Sequence, residues 1–133
     1  MKRHMMLSLI SILLGCLCGC SNAVGKAISK YHAEAPKIQL GMPKDKVLRI
    51  LEPSQQDLSL RQTRGPEEFT QGGIHVEIYF FRSHVNYDKI LTDDEFTPYI
   101  FHDGKLQGIG WTAIGGPQTQ ALPIPEQHIT IIR

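Results

Sequence analysis

Ile74-His75-Val76-Glu77-Ile78-Tyr79-Phe80-Phe81-Arg82 is the stretch that decides the fold. Its side chains alternate with a period of two, the signature of a strand. Ile74, Val76, Ile78 and Phe80 line one face; His75, Glu77, Tyr79 and Phe81 line the other. The run is rich in β-branched and aromatic residues, which fit a pleated surface. The purely apolar face is expected to meet the helices. The mixed face, carrying Tyr79 and Phe81, is then left exposed as a candidate partner-binding surface, since these residue types are favoured at interface cores.

Working outward, Gln71-Gly72-Gly73 and Arg64-Gly65-Pro66 read as bracketing a connection. An alternating patch from 56 to 63, with Leu58 and Leu60, reads as an earlier strand. On the other side, Tyr99 to His102 reads as a strand, and Asp103-Gly104 as a hairpin turn that tolerates positive φ. Leu106 to Trp111 returns as the last strand. The long insertion from 84 to 96 reads as a solvated loop, with Thr92 and Glu95 spaced as a capping box.

Upstream, Lys44 to Leu51 has Val47, Ile50 and Leu51 on one face, with Pro43 at its start and Pro53 at its expected stop. Val24, Ala27, Ile28 and Tyr31 recur at helical spacing, so residues 20–36 read as a tether or a weak helix. These elements predict an α+β fold: a two-layer sandwich of one or two short N-terminal helices on a three- to four-stranded antiparallel sheet. The expected core is Val47, Ile50, Val76, Ile78 and Phe101. The expected domain spans 37–112, followed by an extended Pro- and Gly-containing tail, 113–133.

The N-terminus carries the strongest functional signal. Lys2 and Arg3 precede an apolar run from Met5 to Leu17, closed by Leu17-Cys18-Gly19-Cys20-Ser21. That is the layout of a signal peptide, and the run is shorter than the roughly 20 residues a spanning helix needs. The alternative is a plain N-terminal membrane anchor. Leu-x-Gly-Cys resembles the lipobox of bacterial lipoproteins. The resemblance implies removal of residues 1–19, acylation of Cys20 and, with Ser21 following, a periplasm-facing place at the outer membrane. Leu13-Leu14-Gly15-Cys16 fits the same pattern more loosely.

All three cysteines lie in this region, so the domain has no thiol for a disulfide, a zinc site or a nucleophile. Lys and Arg total 14 against 13 Asp and Glu, and two of those cations, Lys2 and Arg3, fall in the leader. No basic block is present, so nucleic-acid binding has no support.

Two internal motifs narrow the class. Leu40-Gly41-Met42-Pro43-Lys44-Asp45-Lys46-Val47-Leu48-Arg49-Ile50-Leu51-Glu52-Pro53 resembles the opening motif of the SmpA/OmlA (BamE-like) small outer-membrane lipoproteins, or a related lipoprotein branch. Tyr99-Ile100-Phe101-His102-Asp103-Gly104-Lys105-Leu106 resembles the aromatic strand and hairpin of the same families. The resemblance covers residues 38–111. It implies a helix-on-sheet sandwich with a scaffolding role at the envelope, in some members within the machinery that assembles outer-membrane proteins.

Catalytic chemistry finds little in the residues. His75 and Glu77 share a strand face, which reads as polar surface with no metal. An enzyme would draw on His75, Glu77 and His84. Asp57, Glu67, Glu68 and Glu126 are not placed as a pair by the sequence, and neither a nucleophile elbow nor a phosphate loop is present. The expectation is a non-enzymatic lipoprotein without a cofactor, anchored through Cys20 and binding another envelope protein. Its candidate contacts are Tyr79, Phe81 and the tail residues Ile129 and Ile131, the latter suited to strand addition. The rival is a lipoprotein that binds peptidoglycan or modulates an envelope enzyme.

Overall fold

The computed structural model describes residues 22–119. Two helices, α1 (Ala23–Glu34) and α2 (Lys44–Gln55), precede four strands: β1 (Glu67–Gln71), β2 (Ile74–Arg82), β3 (Phe96–His102) and β4 (Lys105–Ile109). The strands form one antiparallel sheet in the order β1-β2-β3-β4, and both helices pack on one face of it. The fold is the expected α+β sandwich.

Asn22 caps α1, its side chain accepting hydrogen bonds from the Val24 and Gly25 amides. This satisfies two of the donors that a helix start leaves open. Val24, Ala27 and Tyr31 form its buried stripe. Beyond it, Gly41 turns with φ +83°, a conformation that favours glycine. The chain then runs beside β4: the Gly41 amide donates to Leu106 O at 2.7 Å and the Leu106 amide to Met42 O at 2.9 Å. One sheet edge is thereby covered. The other, β1, pairs among the described residues with β2 alone, and all five of its residues are exposed.

α2 buries Val47, Leu51 and Ser54. Pro53 does not end it, contrary to expectation; the helix continues to Gln55. Proline removes one amide and disfavours helix in the residue before it. Here the last turn is held by side chains: the Arg82 amide of β2 donates to Gln55 Oε1 at 2.8 Å, and within the helix Ser54 Oγ donates to Leu51 O at 2.6 Å.

The helix-side core joins Tyr31, Ile38, Val47, Leu51, Phe81, Tyr99, Phe101 and Leu106. Val47 and Phe101 lie in it as expected. Val76 and Ile78 do not: they are buried on the opposite face, with Phe80, Phe96 and Ile100. Ile50 is only partly buried against the helix-side core. The partner-surface reading of Tyr79 and Phe81 is corrected by the same reversal. Phe81 is 3 % exposed, and its ring meets that of Tyr99 edge-on at 5.3 Å. Tyr79 is half-buried, edge-on to Phe101 at 5.8 Å. Both faces of β2 are apolar enough to be buried, and periodicity does not say which one the helices take.

The opposite face is closed near its Phe80 end by Trp111, which starts a short 3-10 turn (Trp111–Ile114) after β4. The indole stacks on Phe80 at 5.7 Å and donates Nε1–H to Phe96 O at 2.7 Å. The Arg64 guanidinium lies 4.0 Å from the Phe80 ring centroid.

Two further corrections concern strands. The patch at 56–63 is no strand: Leu60–Gln62 forms a 3-10 turn, and Leu60 is 93 % exposed. The true first strand, β1, lies in the stretch read as a connection. It gave no alternating signal because it buries neither face. The hairpin at Asp103-Gly104 forms as expected, with φ +45° and +76°. Thr92 and Glu95 make the expected capping box around a 3-10 turn, Asp93–Glu95.

Candidate functional site

Cys20, Ile129 and Ile131 lie outside the described residues, as do Cys16 and Glu126. Among the described residues no helix is long and apolar enough to cross a membrane. The proposed enzymatic trio does not assemble. His75 stands at the start of β2 and His84 beyond its end, about 30 Å apart along a strand of nine steps at 3.3 Å each.

Two other surfaces carry chemistry. The first is the connection between β2 and β3. Its base is a buried ion pair: Arg82 Nη2 donates to Glu95 Oε1 at 2.7 Å, with side-chain exposures of 7 % and 1 %. The same carboxylate accepts from the Asn86 amide at 2.9 Å and the Thr92 amide at 3.1 Å. The Ser83 and His84 amides both donate to Glu95 O at 3.0 Å. A single residue therefore organises both ends of the loop. Asp93 extends the platform. It pairs with Arg64 and accepts from the Gln118 and Thr119 amides, tying down the start of the tail.

On this platform the tip turns large apolar side chains outward: Tyr87 is 90 % exposed, Ile90 63 % and Leu91 44 %. Leu91 and Thr92 line a shallow cavity of about 320 Å³ together with Thr63 and Arg64. The segment bearing the exposed Leu60 meets the loop there. The sequence did contain Tyr87, Ile90 and Leu91. They follow no helix or strand period, so pattern reasoning passed over them.

The second surface is a polar cluster on the helix side of the sheet, at the β1–β2 hairpin. Glu68 and Glu77 are directly paired across β1 and β2, and His75 follows two residues before Glu77. His75 Nε2 lies 3.4 Å from Glu68 Oε1 and 3.8 Å from Glu77 Oε2. Lys44, in the first turn of α2, reaches down to Glu77 Oε1 at 2.7 Å. That hydrogen bond holds the Lys44 ammonium above its usual range, and so in the charged form. Sequence reasoning paired His75 with Glu77 but missed Glu68, because β1 was not read as a strand.

No family model, no curated protein and no solved structure matches this chain.

Proposed function

We propose that the chain is a lipid-anchored envelope protein, held through Cys20 at the outer membrane and facing the periplasm, whose domain docks another envelope protein. The docking surface is the β2–β3 loop, with Tyr87, Ile90 and Leu91 as anchors. One observation carries this reading: three large apolar side chains stand exposed on a loop whose base is held by a buried ion pair. Scattered exposed apolar residues are ordinary, but a cluster on a braced loop is the form an interaction site takes. Holding the loop in advance lowers the ordering cost of binding, and a tyrosine at the tip is a favoured anchor.

The occupant is a protein rather than the bilayer surface. Outside the Arg82–Glu95 and Arg64–Asp93 pairs, residues 83–95 carry Asp88 and Asp94 against Lys89 alone, so the loop offers no basic patch for an anionic lipid surface. The partner is expected to offer an apolar pocket that receives Tyr87, Ile90 and Leu91. The role is non-enzymatic, and scaffolding follows from an anchor at one end and a docking loop on the domain.

The test is a photo-cross-linking amino acid placed at Tyr87 in intact cells, with a control at the exposed Lys26 of α1. A protein adduct at 87, absent at 26 and lost on Ile90→Asp with Leu91→Asp, is the expected result. Adducts only to lipid, or equal adducts at both positions, would overturn the reading.

A further inference from the structure

The cluster at the β1–β2 hairpin is built from one imidazole nitrogen and two carboxylate oxygens, all within 4.8 Å of one another. We propose that Glu68, His75 and Glu77 form a binding site for a divalent transition-metal ion of the Zn²⁺ class. It is a different surface from the docking loop, and it stands or falls separately.

Three observations carry it. The first is spacing. Zn–N and Zn–O bonds of about 2.0–2.2 Å at the tetrahedral angle place neighbouring ligand atoms about 3.3–3.6 Å apart. The separations from His75 Nε2, 3.4 Å to Glu68 Oε1 and 3.8 Å to Glu77 Oε2, lie at and just beyond that range. The second is rigidity. Glu68 and Glu77 are register partners in adjacent strands, and the His75 amide is fixed by Asp103 Oδ1 at 3.1 Å. Little needs to move except side-chain torsions, whereas a site on loops would have to be ordered first. The third is access. Glu77 is largely buried, while the His75 and Glu68 side chains are 43 % and 69 % exposed. A metal thus enters from solvent and keeps a fourth position for water.

The donor set chooses the ion. An imidazole with carboxylates suits Zn²⁺, Cu²⁺ or Ni²⁺; Mg²⁺ prefers octahedral oxygen ligands and keeps its waters. Lys44 sets the strength. Its ammonium already occupies Glu77 Oε1, leaving Oε2 for the metal, and it adds a repelling charge. The site is therefore expected to be of moderate affinity, and Lys44 its limiter.

The experiment is calorimetric titration of ZnCl₂ into the detergent-solubilised chain bearing no polyhistidine tag, with MgCl₂ as comparison. One saturable Zn²⁺ site is expected, with no Mg²⁺ binding. His75→Ala and Glu68→Gln should each weaken Zn²⁺ at least about tenfold, since losing even a partner of a ligand costs that much. Lys44→Met should tighten it. Glu68 sits on an exposed edge strand, so the Glu68→Gln chain is expected to keep the parent's circular dichroism. The His75 imidazole signals should shift on titration. Zn²⁺ binding unchanged in both ligand variants would place the ion on other histidines and overturn the proposal; so would absent binding, or equal binding of Mg²⁺.

Discussion

Two side chains show how much of this fold rests on single polar groups. Glu95 is nearly inaccessible, yet it satisfies Arg82, the Asn86 amide and the Thr92 amide at once. Replacing it by alanine leaves a buried guanidinium and two amides without their acceptor. Among the described residues Arg82 Nε already has no hydrogen-bond partner, so the site has no slack to absorb the loss. Glu95→Ala should cost about 3–5 kcal/mol, the usual consequence of breaking a buried pair from one side. Urea unfolding of parent and variant measures it, and a cost under about 1 kcal/mol would mean water fills the gap. Tyr99 is the second case. Burial, and then its 3.0 Å hydrogen bond with Tyr31, hold its phenol neutral far above the ordinary range. An unfolded tyrosine ionises near pH 10. Above that pH the unfolded chain gives up a proton that the folded chain keeps, so the stability present below pH 10 is lost as pH rises. Tyr99→Phe should flatten that alkaline decline. At neutral pH it should cost about 1–3 kcal/mol, because it takes from the buried Tyr31 hydroxyl its hydrogen bond. Denaturant melts at pH 8 and pH 11 give both numbers.

At the scale of elements, the sheet is a partition with separate apolar layers on its two sides. Leu51 on α2 belongs to one layer and Ile78 on β2 to the other, and both are at most 4 % exposed. Leu51→Ala and Ile78→Ala should each cost about 2–5 kcal/mol. Because the sheet stands between them, the double variant should show the sum to within about 0.5 kcal/mol. A larger coupling would mean that strain crosses the sheet. The edges are as unlike as the faces. β4 is covered by the backbone of residues 41–42, whereas among the described residues nothing pairs with the outer side of β1. β1 is short and begins Glu67-Glu68, and charge on a short strand discourages pairing with other chains. Helix α2, the β2 strand and the Asp103-Gly104 hairpin were legible in the sequence. Each is stabilised by its own pattern: a helical stripe, an alternating run, a turn pair. β1 was not legible. Its residues are all exposed, so it has no apolar period, and only the ladder to β2 makes it a strand. The metal-site reading shared that blindness, since Glu68 arrives through β1.

For the whole molecule, the expected attachment places a small domain close to a membrane. Cys20→Ala should leave the protein unprocessed or free in the soluble fraction, measured by fractionation and intact mass. A diacylglycerol group found on Cys16 would move the anchor to that residue. The domain is expected to fold the same way without lipid, because among the described residues α1, α2 and the sheet, with Ile38 from the linker between the helices, supply the buried apolar residues of the two cores. What the sequence determined by itself is local and periodic: helix α2, the central strand, the hairpin and hence the α+β class. Each is set by spacing and residue type along a few neighbours. What only the tertiary structure decided is which face of β2 receives the helices, that Tyr79 and Phe81 turn inward, and that Arg82 meets Glu95. It also decided that Glu68 faces His75 and Glu77. These depend on distant segments meeting, and a strand apolar on both sides carries no local preference between them. The helices settle on the face where Phe81, Tyr99, Phe101 and Leu106 receive Val47 and Leu51. The other face is left to Phe80, Trp111 and the guanidinium of Arg64.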